Sequence, residues 1–345
     1  MQKWEVSLID IPGSNPTRHL ALDNPAPNPG LARRLPPALA FRYHALPVAE
    51  DNGRITVTMV DPDDAAAREA VATALGTTPC VVRGAPATID ALLAETWPEE
   101  DRRALRLLIC CRPAGPTADE ISAYGQAMGV LLGAHVSYLK MAEGRHPMLD
   151  TLTDEVDRVG YHLVILGEPD QLLAESLSSD LMDRSVVDAV PTSLVIARQP
   201  RQPLRRRLLV IWGEETDDEA VDWVVRLARP SGAAVTVLAM ASPALTMYHA
   251  MARIEQGLSA LLTQDTTLGL QTRRVARRLA NWEIEGTLRL RQGAPDWQIR
   301  LEMAEGHHDL IVVAAEAYDG LPGGVISPLL RWADRPVLIA KPITI

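Results

Sequence analysis

The residues best placed for ligand chemistry are small residues that follow two apolar runs in the last third of the chain. Gly213 ends the apolar run 208–212, and Gly323 and Gly324 come after the run 309–314, shortly before Ser327. Glycines after a buried strand and ahead of a helix allow backbone N–H groups to approach a phosphate. A pair of glycines is also the ordinary composition of a turn, so both interpretations stay open here.

Other reactive side chains lack the spacing that catalysis needs. His307 and His308 form the only adjacent histidine pair, which predicts a solvated turn before a buried strand, since a metal site needs partners that the sequence does not place nearby. Acidic residues 214–219 suit the positive end of a helix that starts there. The sequence contains no Gly-x-Ser-x-Gly, His-Glu-x-x-His, Cys–His or Gly-x-x-x-x-Gly-Lys-Ser/Thr motif. We therefore predict that the protein is not an enzyme.

Composition limits the partners. The chain has 345 residues, 47% of them hydrophobic and 23% charged, and a net charge of -10. Such a charge argues against nucleic acid and anionic membrane surfaces as partners. The basic residues 273, 274, 277 and 278 are predicted to form one solvated helix face. No apolar run reaches the ~20 residues that span a bilayer, so no membrane insertion is expected. With three cysteines and no leader pattern, a reduced cytoplasm is the expected location.

One pattern of strands and helices occurs twice, about a hundred residues apart. Residues 208–212, an amphipathic helix and residues 233–239 read as a strand–helix–strand unit, which crosses over into a parallel sheet. Residues 105–111, 117–132 and 134–139 repeat it. Each unit continues through a helix to another strand (162–167 and 309–314) and ends with a last strand (193–197 and 337–340).

The segment ahead of the repeat resembles the N-terminal domain of the ATPases that drive type II secretion and type IV pilus assembly. The resemblance rests on residues 35–48, 53–63 and 89–93. Some members bind cyclic di-GMP through an Arg-Leu-Gly-led helical motif before this stretch, and residues 30–35 lack that pattern. The resemblance therefore implies the fold and not the ligand.

The repeat resembles the universal stress protein family over residues 105–345. The matching residues are 208–215 with the following helix, 293–300, 309–313 and 330–341. The resemblance implies an α/β fold of two tandem open, mainly parallel five-stranded sheets, the first truncated, next to a small N-terminal α+β domain. The expected domains are an extension at 1–34, a secretion-ATPase-like domain at 35–98, a degenerate universal-stress-like copy at 104–200 and a second copy at 204–345.

Many universal stress proteins bind ATP, and the resemblance implies where such a site would lie. It needs an acid after the first strand, then Gly-x-x-Gly, nine residues and Gly-Ser/Thr after the fourth. In the second copy these positions fall on Gly213, Ala314, Ala317 and Ser327, or on Gly323 and Gly324 if the loop is shortened. In the first copy Arg112 replaces the acid, and carboxylates follow Gly167. Both signatures are broken.

These observations predict a non-catalytic regulatory or scaffold protein of universal stress type that works through an unidentified protein partner. Its last strands are expected to pair within the chain as a pseudo-dimer, and a homodimer of whole chains is also compatible with the sequence. The alternative is a sensor that holds ATP or AMP in the second copy. No cofactor is expected beyond such a nucleotide.

Overall fold

The computed structural model describes residues 4–7, 29–51, 53–97, 105–111, 116–140, 148–167, 186–200, 206–212, 218–241, 262–263, 265–315 and 326–341. They divide into two compact units. The N-terminal unit is drawn from residues 12–104 and 280–283, and the sheet unit from residues 1–11, 105–279 and 284–344.

The first strand, β1 (Trp4–Ser7), belongs to the sheet unit, and the elements after it build the N-terminal unit. These are α1 (Pro29–Ala32), α2 (Pro37–Tyr43), β2 (Ala45–Asp51), β3 (Arg54–Met59), α3 (Ala65–Leu75), β4 (Cys80–Arg83) and α4 (Pro86–Thr96).

The N-terminal unit is a three-stranded sheet in the order β2-β3-β4. Strands β2 and β3 form an antiparallel hairpin, while β3 and β4 are parallel and are connected by α3. Asp64 caps α3 by accepting a hydrogen bond from the N–H of Ala67 over 3.0 Å, and Gly76 ends the helix with a φ of 66°. Alternation along β3 buries Ile55, Val57 and Met59.

The sheet unit contains two groups of strands. The N-terminal lobe has β5 (Arg106–Cys111), α5 (Pro116–Leu132), β6 (His135–Lys140), α6 (Met148–Val159), β7 (Leu163–Leu166) and β8 (Ser193–Ile196). The C-terminal lobe has β9 (Arg206–Trp212), α7 (Asp218–Ser231), β10 (Ala234–Ala241), α8 (Thr267–Asn281), β11 (Gly286–Gln292), α9 (Pro295–Gly306), β12 (Leu310–Ala314), α10 (Ile326–Trp332) and β13 (Val337–Ala340).

The two lobes share one sheet of ten strands in the order β1-β11-β10-β9-β12-β13-β8-β7-β5-β6. The strands β5 to β8 of the N-terminal lobe are parallel to one another, and so are the strands β9 to β13 of the C-terminal lobe. The α/β class with mainly parallel strands is therefore as predicted, and the strands of the two copies form one continuous sheet. They join where β13 runs antiparallel to β8, with Val337 opposite Ile196 and Ile339 opposite Leu194.

The outer strands of the sheet differ between the lobes. The C-terminal lobe has five strands, and β1, from the segment predicted to be an extension, pairs antiparallel with β11 outside them. The described part of the N-terminal lobe has four strands and no counterpart of β11, which agrees with the truncated first copy that the sequence predicts.

One apolar core crosses the boundary between the lobes. It combines buried side chains from β5, α6, β7 and β8 with others from β10, α9, β12, α10 and β13 on one face of the sheet. On the opposite face α5 and α7 pack against each other, and each covers the strands of its own lobe. Because apolar burial is the main stabilising contribution to folding, the lobes are expected to fold as a single cooperative unit.

Candidate functional site

The strand order of the C-terminal lobe creates a topological switch point between β9 and β12. From β9 the chain continues to β10 and β11 on one side, and then returns across the sheet to β12 and β13 on the other. In such sheets a ligand crevice opens beyond the carboxyl ends of the two strands where the order reverses. This edge, at the ends of β9 and β12, is the candidate site of the lobe.

The structure locates two of the six residues predicted for a nucleotide site. Ala314 is the last residue of β12, is 1% exposed, and has its Cα opposite Ala340 of β13. Ser327 lies in the first turn of α10. Ala314 therefore ends β12, and Ser327 belongs to the connection that leads from β12 to β13. Gly213, Ala317, Gly323 and Gly324 lie outside the described residues, so their part in the site stays a prediction.

The equivalent edge of the N-terminal lobe lies between β5 and β7. Gly167, directly after β7, packs against α5: a methyl group added to it would lie 2.6 Å from Cδ1 of Ile121. The lack of a side chain at this position therefore allows the helix to approach the strand. Arg112 and the acidic residues after Gly167 lie outside the described residues.

The basic residues of α8 do not form a purely solvated face, contrary to the sequence prediction. Arg274 contacts Asp218 of α7 at 2.5 Å, and Arg278, 8% exposed, pairs with Asp222 and lies 3.6 Å from Asp218. Asp218 therefore does more than compensate the helix dipole, because it also attaches α8 to α7.

A second charged group is centred on Glu302 of α9, whose side chain is fully buried. The Glu302 carboxylate is 0% exposed and accepts hydrogen bonds from the guanidinium groups of Arg289 and Arg291 on β11, the latter at 2.7 Å. Nε2 of His308, whose ring is 2% exposed, lies 3.2 Å from the same carboxylate. Arg291 also donates to Glu305 over 2.9 Å. We call Arg289, Arg291, Glu302, Glu305 and His308 the Glu302 cluster.

The Glu302 cluster holds its central carboxylate ionised. Burial alone would raise the pKa of Glu302, but hydrogen bonds from His308 and Arg291 and the positive charges of Arg289 and Arg291 outweigh burial and lower the pKa to about 2. Each charged group is directed at an oppositely charged or hydrogen-bonding neighbour, so the cluster fastens α9 to β11.

Sequence reasoning missed the Glu302 cluster and treated both histidines as a solvated turn. His307 is exposed and ends α9 in a left-handed conformation with a φ of 50°, but His308 turns inward. The available signal was the alternation Leu288-Arg289-Leu290-Arg291, which places two arginines on one face of a strand.

The junction between the lobes is built around Ser193, the first residue of β8. Its hydroxyl accepts hydrogen bonds from Nε1 of Trp223 at 2.8 Å and from the N–H of Lys341 at 3.0 Å, and it donates to the Lys341 carbonyl at 3.2 Å. Ser193 is 0% and Trp223 1% exposed. A helix and a strand of the C-terminal lobe thus meet at one side chain of the N-terminal lobe.

Lys341 makes a second contact across the junction. Its ammonium group donates to the carbonyls of Val187 and Val190, the latter at 2.5 Å. Burial lowers the pKa of Lys341, and the negative charge of Asp188 opposes that change. The last described residue of the chain is therefore attached to the N-terminal lobe by its backbone and by its side chain.

The N-terminal unit has an open cleft of about 660 Å³ between α3 and β4. Arg68 and Glu69 line it with Asp63 and Arg83, which form a salt bridge of 2.9 Å. Its charges are balanced, so they favour neither an anion nor a cation.

Within the described ranges, no group of three or more histidine, cysteine, aspartate or glutamate side chains is arranged to hold a metal ion. The same part of the chain contains no helix with both the length and the apolarity needed to cross a bilayer.

Comparison with known proteins identifies two domains. Residues 15–103 match the MshEN domain, and residues 204–341 match the universal stress protein family. None of the curated proteins searched gives a significant match.

Two solved structures are among those that the chain matches. A functionally unknown protein from Pseudomonas aeruginosa PAO1 is 16% identical with a TM-score of 0.43, over 70% of this chain and 94% of that chain. A universal stress protein from Archaeoglobus fulgidus DSM 4304 is 12% identical with a TM-score of 0.41, over 68% of this chain and 98% of that chain. The chain thus carries an MshEN domain at residues 15–103 and a universal stress protein domain at residues 204–341.

Proposed function

We propose that this protein is a non-catalytic regulatory or scaffold protein of universal stress type, with degenerate nucleotide pockets, that works through protein–protein contacts. The observation that carries the proposal is the position of Ala314. The family resemblance assigns Ala314 to a position where bare backbone approaches a phosphate, and the methyl group of this residue is buried at the end of β12.

The N-terminal lobe supports the same proposal. We interpret residues 105–200 as a degenerate copy whose role is to pair with the C-terminal lobe as a built-in pseudo-partner. The antiparallel pairing of β8 with β13, the shared core and the contacts of Ser193 favour this role. At the edge between β5 and β7 of the N-terminal lobe, Gly167 leaves room for the side chain of Ile121.

The alternative function is a nucleotide sensor, and one observation favours it. The strand order around β9 and β12 is that of an intact switch point, so the crevice required by the fold is retained. In that case Gly213, Gly323 and Gly324 would supply bare backbone to the phosphates of ATP or AMP.

The proposal includes no cofactor, no catalysis and a cytoplasmic location. Cys80 is an exposed free thiol, which suits a reducing compartment.

Isothermal titration calorimetry of the full chain with ATP and AMP tests the proposal. The expected result is no saturable heat at millimolar nucleotide. A matched triple variant, Ala314→Gly, Ala317→Gly and Ser327→Gly, introduces glycine at the three positions that the family signature requires. We expect it to bind ATP at least about tenfold more tightly than the unaltered chain, a change in binding free energy of about 1.4 kcal/mol. Saturable binding of ATP or AMP by the unaltered chain would establish the sensor instead.

A further inference from the structure

The ten-stranded sheet ends in two edge strands, and β6, with six residues, is longer than β1, with four. Among the described residues β1 pairs only with β11, and β6 pairs only with β5. β6 is an edge strand because the described part of the N-terminal lobe has no counterpart of β11. A row of backbone N–H and C=O groups without strand partners is a template for another chain.

The side chains around this edge are accessible, and two of the most exposed are the large side chains of Val130 and Tyr138. Along residues 135–139 of β6 every side chain is at least partly exposed, whereas β7 and β8 are buried throughout. Tyr138 is 43% exposed, and Val130, on the neighbouring turn of α5, is 85% exposed. The strand has no proline, and its lysine is its last residue. Residues 135–139 therefore contain neither a proline nor a lysine, two of the features that protect an edge from pairing.

The backbone of β6 has a defined outward side. The N–H of His135 donates to the carbonyl of Leu105 over 2.9 Å, next to the start of β5. Because backbone groups alternate along a strand, Ser137 also bonds toward β5, while the N–H and C=O groups of Val136 and Tyr138 point away from the sheet.

The outward-bonding residues share one face of the sheet. A methyl group on Gly129 of α5 would lie 2.3 Å from Cγ2 of Val136, so Val136 packs beneath that helix. Tyr138 accepts a hydrogen bond from Nε2 of Gln126, also on α5, over 2.6 Å. Val136 and Tyr138 therefore lie on the same face of the sheet, where a strand that pairs with β6 would place its own side chains beside them.

We propose that β6 is a homodimer interface, in which two copies of this chain pair antiparallel about a two-fold axis through Ser137. In this register Val136 faces the partner's Tyr138, and the same pair occurs again across the axis. Each pair exchanges both of its outward hydrogen bonds, and a β-branched residue opposite an aromatic one is a favourable cross-strand combination. Lys140 comes opposite the partner's Ala134, so no like charges oppose each other.

A second copy suits this edge because the strand is complementary to itself in that register. The pairing also leaves the β8–β13 junction inside each chain undisturbed. The dimer would be a continuous sheet that runs through four lobes.

Residue 137 is the only position that meets itself across the proposed axis, and a charge exchange there tests the arrangement. We would measure the mass of the full chain by light scattering and sedimentation over a concentration series. Ser137→Glu and Ser137→Lys should each raise the dimer dissociation constant at least about tenfold, because like charges then oppose each other. An equimolar mixture of the two variants should form a dimer again. Leu270→Glu, at a residue of α8 that is 51% exposed, should leave the dimer unchanged.

If the unaltered chain is still monomeric at ~100 μM, a concentration a thousandfold above a dimer dissociation constant of ~100 nM, the proposal is overturned. A dimer that survives both charged variants, or variants that do not pair when mixed, would overturn it as well. Circular dichroism verifies that each variant is folded. If a charged variant does not fold, Tyr138→Thr removes the cross-strand aromatic group, and an unchanged dissociation constant for that variant would contradict the proposal.

Discussion

Trp223 donates its indole N–H to the hydroxyl of Ser193 over 2.8 Å, and this bond connects a helix of the C-terminal lobe to the last strand of the N-terminal lobe. Both side chains are buried, and the same hydroxyl also bonds the backbone of Lys341. One serine thus satisfies polar groups from two separate elements of the other lobe. Since a buried polar group without a partner is costly, the fit between the lobes depends on this position.

Replacing Ser193 with Ala should destabilise the protein by about 1–3 kcal/mol, because it leaves the buried indole N–H without its acceptor. Urea unfolding followed by circular dichroism gives the free energy of unfolding. Trp223→Phe removes the donor, and in the double variant the two losses should fall short of their sum by about 0.5–3 kcal/mol. Strictly additive losses would show that the bond does not couple the lobes.

Glu302→Gln should destabilise the protein by about 3 kcal/mol at pH 7, because it removes the buried negative charge that faces both Arg289 and Arg291. The folded pKa of Glu302 lies near 2, below the ordinary 4.5, so its contribution is full above pH 4.5 and is lost as the pH falls toward 2. The difference in stability between the two proteins should shrink over that range.

Glu305→Gln is the matched control for the Glu302 experiment. The Glu305 side chain is 40% exposed and pairs with Arg291 at the rim of the cluster, so its loss should cost less than about 1 kcal/mol. If the two variants lose equal stability at pH 7, the enclosed carboxylate is not the centre of the cluster.

His307→Gly should stabilise the protein by about 0.5–1 kcal/mol, because His307 is an exposed residue with a left-handed backbone at the end of α9. Thermal unfolding would show the gain as a higher midpoint. The neighbouring change Gly306→Ala should have the opposite effect, at a cost of about 1–3 kcal/mol, since its methyl group would lie 2.0 Å from Nε2 of His308. A loss of stability in His307→Gly would mean that its side chain makes a contact worth more than the backbone strain.

The isolated fragment 204–345 should self-associate, because it loses β8 and exposes the edge of β13 together with part of the shared core. Sedimentation of the fragment next to the full chain measures this. A fragment that is a stable monomer would contradict the role of the N-terminal lobe as a built-in partner.

Much of the fold could be predicted from the sequence, because periodicity reports local structure. The apolar runs of β7, β8, β12 and β13 are buried on both faces, as their composition predicts. The joining of the two sheets could not be predicted from such runs alone, and the expected pairing of the last strands came from the family resemblance. Strand pairing between 194–196 and 337–339 depends on contacts between distant segments, which local periodicity does not report.

The charged contacts show the complementary limit. The polar side chains of Arg278, Glu302 and His308 predict exposure, but each is buried against a charged partner. A charged side chain is costly to bury unless an opposite charge or a hydrogen-bonding group lies beside it, and the residue type alone does not report that neighbour. The expected nucleotide residues are a different case, because only Ala314 and Ser327 fall within the described residues.

Native mass spectrometry of the full chain, purified without added ligand, tests most directly whether the C-terminal lobe binds a nucleotide. We predict the mass of the polypeptide alone for each subunit, because the methyl group of Ala314 is buried at the position that the family resemblance assigns to bare backbone. A subunit carrying the additional mass of ATP, ADP or AMP would contradict the account.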